Sequence, residues 1–526
     1  MRRVFLFQLI FLSLAYRCSG RVQAPSHLVS REGDQSVVLH WERSIAPEVA
    51  GYRVYRSPTS SGPFLLLNST GLVASPGYCD VSTSVVNGRT NYYQVTAVSR
   101  DSQESKPSST LAAVSRPFAT DDAFLDYIQQ VHFDYFWYLA NPNNGLVPDR
   151  TAAGSACSIA AVGFGLTAIA IGIDHGWISR AQGAARVLTT LNTFWQGPQG
   201  TNSSGTIGYK GWFYHFLDMN TALRVNAELS SIDTALLLSG ILDAQQYFTG
   251  TNADEVSIQD LADRLYSRVD WHWMARGTNV LSMGWFPETG FIANNWVGYN
   301  EGMILYCLGL GAAAHPLPGS AWDAWTSGYT WSTLYGFSFV PFPPLFGHQY
   351  SHCWIDFRYI ADAYMRGHGL TYFENSRRAT LAQRAYCIAN PLHHAGYSAA
   401  VWGLTSSDDP SGYSAHGAPP AQGDNGTITP SAAGASIAFT PEFSLATLRH
   451  VYTHYRPRMW TAYGFRDAFN LNSQWVDTDE LGIDQGPIVI MIENYRTGRV
   501  WQRFMQSEAV QKGLRRAGFE TAPGPR

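Results

Sequence analysis

The run over residues 156–173 constrains this chain most, because it carries no charged side chain and is nearly long enough to cross a bilayer. Gly163, Gly165 and Gly172 thin its bulk, and Asp174-His175 end it. Small residues let another backbone come close, so the run predicts a helix packed against protein on all sides rather than a membrane span. Residues 233–242 and 301–314 share that character, whereas 256–269 and 371–386 carry charge on one face. Helices are predicted at about 121–140, 155–174, 179–195, 230–248, 255–274, 299–314, 320–334, 353–366, 371–390, 441–455, 484–498 and 500–517. Buried helices alternating with amphipathic ones predict a mainly α protein: a closed toroid of six helical hairpins over residues 118–520.

Residues 22–117 follow a different period. Val37-Val-Leu-His-Trp41, Gly51-Tyr-Arg-Val-Tyr-Arg56 and Asn91-Tyr-Tyr-Gln-Val-Thr-Ala-Val-Ser99 alternate apolar and polar residues between Pro, Gly and Ser clusters. That pattern predicts a small all-β sandwich, and its early Trp and Tyr-rich strands resemble a fibronectin type III module. It shows no convergent polar cluster, which reads as a spacer or docking module. Met1-Arg2-Arg3 before an apolar stretch reads as a signal peptide over residues 1–20, cleaved near Gly20, so the protein is expected to be secreted or periplasmic. Cys18 lacks the small residue before it that lipidation needs. Cys79, Cys157, Cys307, Cys353 and Cys387 form no disulfide framework and read as buried thiols.

The net charge is −4 and the lysines are Lys106, Lys210 and Lys512, which argues against a nucleic-acid partner. No P-loop, dinucleotide fingerprint, His-Glu-x-x-His or nucleophile elbow occurs, and neither metal nor organic cofactor is implied. The 17 Trp and 28 Tyr suit stacking platforms for sugar rings. What recurs is a carboxylate beside aromatics at a helix end or in a loop: Asp149-Arg150, Glu228, Glu288, Glu301, Asp408 and Glu442. Glycosidic cleavage needs such carboxylates in pairs, one to protonate the leaving oxygen and one to activate water or attack. Each has a plainer reading. Glu228, Glu301 and Glu442 can serve as helix-start acids, and Asp149-Arg150 as a loop-fixing ion pair. Glu228 precedes Ser230 and Asp233, a capping-box pattern opening an apolar helix. The long loops 195–227 and 391–441 are expected to build a cleft on one face of the toroid.

Taken in order, several motifs resemble bacterial glucoamylase-like glycoside hydrolases over about residues 121–517. They are Phe136-Trp137 with Gly145-Leu-Val-Pro-Asp-Arg150, Gly208-Tyr-Lys-Gly-Trp-Phe-Tyr-His215, Glu228-Leu-Ser-Ser-Ile-Asp233 and Gly284-Trp-Phe-Pro-Glu288. The set continues with His348-Gln-Tyr-Ser-His352, Trp354-Ile-Asp-Phe-Arg358, Trp402-Gly-Leu-Thr405 before Asp408, and Gly482-Ile-Asp-Gln-Gly-Pro487 before Glu493-Asn-Tyr-Arg496.

The resemblance implies an (α/α)6 barrel and hydrolysis of β-1,2-glucan with inversion, with Glu228 and Asp408 matching essential acids. Glu228 is expected to be the general acid, kept protonated against apolar helix, and Asp408 the base on a solvated loop. Expected substrate contacts are Asp149, Arg150, Trp212, Trp285, Glu288, Tyr299, Glu301, His348, Trp354, Arg358, Trp402, Tyr413 and Glu442. Tyr138 stands where the family pattern carries an acid, so a subsite carboxylate is expected to be missing. The partner is a β-linked glucan and the chain a monomer without a membrane span. Alternatives are an exo-acting, disaccharide-releasing hydrolase and a noncatalytic carbohydrate-binding surface protein.

Overall fold

The structure, a computed structural model, describes residues 22–44 and 49–524; the leader over residues 1–20 lies outside them. Seven strands open the chain: β1 (Val29–Gly33), β2 (Ser36–His40), β3 (Val49–Ser57), β4 (Leu65–Leu66), β5 (Gly77–Asp80), β6 (Thr90–Ser99) and β7 (Leu111–Val114). They form two antiparallel sheets, ordered β1-β2-β5 and β4-β3-β6-β7. Alternation decides which faces meet: Val37, Leu39, Trp41, Tyr52, Val54, Tyr93 and Val95 fill the space between the sheets.

The remainder is an (α/α)6 toroid. Its first helices are α1 (Asp121–Tyr138), α2 (Ile159–Asp174), α3 (Arg180–Gln196), α4 (Ser231–Tyr247) and α5 (Ala253–Ser267), followed by Met303–Gly311, Tyr372–Ala389, Pro430–Gly434, Pro441–Met459 and Gly482–Arg496. Every residue of Met303–Gly311 is buried, as its composition requires. Among the described residues no helix is long and apolar enough to cross a membrane. Several helix boundaries differ from expectation, among them 320–334, which ends at Thr326, and 500–517, which splits into Arg499–Phe504 and Glu508–Arg516. Thr120, rather than Asp121-Asp122, caps α1. The helix expected over 255–274 breaks at Asp270, whose side chain accepts the Trp273 N–H at 2.9 Å and starts a separate turn. Of the helix expected over 353–366 only Ala363–Gly367 forms: a 3-10 turn ends at Cys353, and Asp356 then accepts the Arg358 backbone N–H at 3.1 Å in an Asx turn. Pro430–Gly434 lies inside an expected loop and is too short to show a period.

Glycines set the barrel's inner spacing. A Cβ on Gly163 in α2 would collide with the Leu236 carbonyl of α4, and one on Gly240 in α4 would collide with the Gly163 carbonyl. One strap spans the starts of both helices: the Ile159 N–H donates to the His215 carbonyl at 3.2 Å, and the His215 N–H to the Glu228 carbonyl at 2.9 Å. The start of Gly482–Arg496 joins the same end, its Gly482 N–H donating to the Asp149 carbonyl at 2.8 Å. Three inner helices therefore point their positive N-termini at one mouth. At the far end Glu493 is enclosed by His175 (2.8 Å), Gln129 (3.0 Å) and Thr497 (2.6 Å).

The sandwich is docked on α1 through buried polar groups. His40 Nε2 lies 3.1 Å from Asp134 Oδ2, with both side chains fully buried, and the His40 ring stacks on Tyr138 at 4.2 Å. Ser36 Oγ meets the hydroxyls of Tyr127 and Tyr452 at 2.9 and 2.8 Å. Tyr138, the position that departs from the family pattern, thus serves the junction between the two parts. Cys157, Cys307, Cys353 and Cys387 are buried free thiols, and Cys79 is half-buried. Gly163→Ala should lower unfolding free energy by about 3 kcal/mol, because backbone stands where the methyl would go; chemical denaturation measures it.

Candidate active site

At the mouth, Glu228 stands two residues before the N-cap of α4, where Ser230 accepts the Asp233 N–H. Its carboxylate is not left against apolar helix. His215 Nδ1 lies 3.0 Å from Glu228 Oε1, and His215 Nε2 lies 3.6 Å from Asp233 Oδ1. Burial alone would favour a neutral imidazole, but Asp233 and Glu228 outweigh it and raise His215 to about 9. Burial likewise works to raise Glu228, yet the His215 hydrogen bond and charge bring it below the usual carboxyl range. The expectation that apolar packing keeps Glu228 protonated is therefore corrected: an imidazolium holds the proton of this pair.

Asp408 sits in the hairpin Ser406–Asp409/Gly412–Ala415 and is 8% exposed, so the solvated loop expected for it is a buried strand end. Arg150 Nη1 pairs with its Oδ2 at 2.6 Å, while Arg150 Nε reaches Asp149 at 3.1 Å. Burial works against the guanidinium, but Asp408 and Asp149 raise it further above its ordinary value. Burial also raises Asp149, and Asp149 in turn favours the His215 imidazolium, so Asp149-Arg150 links the two carboxylate stations.

Behind Asp408 lies a carboxylate cluster absent from the sequence expectations. Asp467 accepts the Asp408 backbone N–H at 2.7 Å, and Ser431 donates to Asp484 at 2.6 Å. Asp408, Asp467 and Asp477 bring one oxygen each within 4.8 Å of one another. Three oxygens so close could chelate a hard cation, but protonation of the buried Asp467 would also relieve their repulsion. Burial, with Asp484 beside it, pushes Asp467 far up, and burial raises Asp477 to about 7 and Asp484 to about 6. The acidic run Asp477-Thr-Asp479-Glu480 was the available signal.

The other expected contacts divide. Trp285 is half-buried on a strand paired with Leu229, within 5.9 Å of Tyr209 and 5.5 Å of Trp273, so an aromatic platform adjoins Glu228. Tyr413 is half-exposed and faces Asp408 across the hairpin. Glu301 ends in an oxygen that has no hydrogen-bond partner among the described residues, and burial lifts it to about 7. Glu288 is engaged by Arg224 at 2.6 and 3.0 Å, and this fixes the loop before Glu228.

Six expectations are overturned, and a seventh reduces to its plainer reading. Trp212, Trp354 and Trp402 are wholly buried: Trp212 donates to the Asp270 carbonyl (3.0 Å) and Trp354 to Thr167 (2.8 Å). Tyr299 and His348 form a buried knot at 3.1 Å, and burial lowers His348 to about 3. Arg358 is forked onto Asp356 and stacks over Trp501 beside Gly498, at the far end from the mouth. Glu442 is an exposed first-turn acid of Pro441–Met459.

A toroid whose open end gathers cation-clamped carboxylates beside aromatic platforms has the parts that a glycoside hydrolase needs. The Glycoamylase family model, describing a glucoamylase, matches residues 293–508. An exo β-1,2-glucooligosaccharide sophorohydrolase (non-reducing end) of Parabacteroides distasonis is 30% identical over 98% of this chain and 73% of its own length. The crystal structure of a β-1,2-glucanase from Parabacteroides distasonis superposes with a TM-score of 0.84 at 30% identity, covering 94% of this chain and 73% of that one. The endo-β-1,2-glucanase of Chitinophaga pinensis, solved with sophorotriose and glucose, gives 0.71 at 30% identity over 76% of this chain and 99% of its own. The chain belongs to the glucoamylase-like family of glycoside hydrolases.

Asp477 is protonated more readily folded than unfolded, so it supports stability at low pH and loses that contribution as pH rises through about 7. Asp477→Asn should therefore gain melting temperature relative to the parent between pH 5 and pH 8, by calorimetry.

Proposed function

We propose that this protein hydrolyses β-1,2-glucan with inversion of the anomeric carbon. Glu228 protonates the leaving-group oxygen and Asp408 takes the proton of the attacking water. The carrying observation is that the two carboxylates are clamped separately, Glu228 by His215 and Asp408 by Arg150. Separate clamps suit separate roles on either side of a sugar ring. The β-1,2 linkage rests on the printed activities of the relatives from Parabacteroides distasonis and Chitinophaga pinensis.

One further observation favours an exo mode that releases disaccharide from the non-reducing end. A cavity of about 830 Å³ runs between sandwich and barrel, lined by Arg43, Tyr52 and Arg100 on one side and by Asn141, Asn143 and Arg150 on the other. The sandwich thereby walls one approach to Arg150. The exo relative aligns across both parts, whereas the endo relative covers a share close to that of the barrel alone. The protein acts as a monomer outside the cytoplasm, the latter supported by the leader-like residues 1–20.

On a panel of linkage-defined glucans, β-1,2-gluco-oligosaccharides should be consumed with the α-anomer appearing first by NMR. Glu228→Gln and Asp408→Asn should each lower kcat by about 10²–10⁴-fold; unchanged release in both would defeat the reading. Disaccharide should dominate from the earliest time points. Arg100→Ala should raise KM for long oligosaccharides, and a ladder of early products would instead indicate endo cleavage.

A further inference from the structure

His215 lies outside the pair of acids to which the reaction has been assigned, yet its surroundings are built around a proton. Its two ring nitrogens address two carboxylates, Nδ1 at 3.0 Å from Glu228 and Nε2 at 3.6 Å from Asp233. Its backbone is fixed on both sides by the strap that joins the starts of α2 and α4. The ring stacks on Phe216 at 3.9 Å, nearly parallel, which leaves it little rotational freedom. Asp233 is held in turn by Ser230, whose hydroxyl donates to its carboxylate. The charged groups facing the imidazole are Asp149 from the loop after α1, Glu228 from the segment before α4, and Asp233 from α4 itself. Beyond them, Arg224 lies within electrostatic reach of Glu228, and Asp233 within that of Glu301.

An inverting hydrolase has a supply problem at its acid. Each turnover strips one proton from the acid and delivers one to the base, and the acid must be reloaded before the next sugar arrives. A carboxylate with a depressed pKa reloads poorly from solvent at neutral pH. We propose that His215, braced by Asp233, is the proton-holding partner that loads Glu228. This rests on Glu228 being the acid.

In the free enzyme the pair carries one proton, on the imidazole. When sugar fills the mouth and water leaves, an ion pair becomes costlier than its neutral form, and the Nδ1 proton passes to Glu228. Glu228 then gives that proton to the glycosidic oxygen as the C–O bond breaks, while water attacks the anomeric carbon and its proton goes to Asp408. His215 is left neutral and Glu228 ionised. Asp408 returns its proton to solvent, and His215 takes one from solvent, with Asp233 stabilising the imidazolium. One water is consumed and the proton count closes. His215 is on this reading a positioning and proton-holding residue, since Glu228 alone touches the sugar.

The test is the pH profile of kcat/KM on a β-1,2-gluco-oligosaccharide from pH 5 to pH 10. In the parent, activity should persist until the pair loses its proton, with the alkaline limb near the value of about 9 held by His215. In His215→Gln the proton must reside on Glu228 alone, so the limb should fall by at least ~2 pH units toward the carboxyl range, with kcat down about 10²-fold. Asp233→Asn weakens the imidazolium without removing it, and its limb should shift down by about one unit. A limb that stays in place in His215→Gln, with a uniform loss of rate, overturns the inference and leaves His215 as a structural residue. Should His215→Gln fail to fold, judged by its thermal melt, Asp233→Asn decides alone, and an unmoved limb there overturns the inference. Glu228→Gln separates the two levels. If it keeps turning over, the assignment of the acid falls; if it is inactive while the limb of His215→Gln is unmoved, only the proton-holding role falls.

Discussion

The near-contact of two helix backbones at Gly163 and Gly240 is the constraint from which the catalytic end follows. With no side chain between them, α2 and α4 run close enough for one strap to hydrogen-bond to both starts. His215 is carried on that strap and Glu228 on the segment it pairs with, so their 3.0 Å approach is set by backbone geometry rather than by flexible side chains. A helix pair spaced by larger residues would part these two groups. Small residues in the barrel wall are thus a condition of the chemistry at its mouth, not just of packing density.

The mouth concentrates more acid than base. Arg150 pairs with Asp149 and Asp408, while Asp467 and Asp477 crowd Asp408 from behind. Buried charges are expensive unless paired, and two remedies are visible. At the mouth, Glu228 and Asp408 each receive a cationic partner, His215 and Arg150. Behind Asp408, burial and neighbouring carboxylates raise Asp467 and Asp477 instead.

The sandwich lines one side of a cavity that reaches Arg150. Its attachment uses the fully buried His40–Asp134 contact and the stacked Tyr138, a rigid arrangement rather than a tether. Tyr138 occupies a position where an acid is expected in the family, and the ring serves the junction instead. A residue that looks like a lost subsite is therefore part of how a second module came to flank the cleft.

Much of this was legible in order along the chain. The two periods separated sandwich from toroid, the glycine-bearing apolar runs marked the inner helices, and the ordered family-like motifs singled out Glu228, whose local reading was a helix-start acid, together with Asp408. The aromatic residues misled. Trp212, Trp354 and Trp402 have the composition of sugar platforms but fill the core, because an indole stacks on a pyranose and on a phenylalanine by the same dispersion forces. What sequence could determine was local: helical and strand period, capping, and the kind of chemistry the acids allow. What only the folded chain decided was the partner of each acid. Arg150 and Asp408 are 258 residues apart, and the state of a carboxylate depends on the charge a few ångströms away, not on its neighbours along the chain.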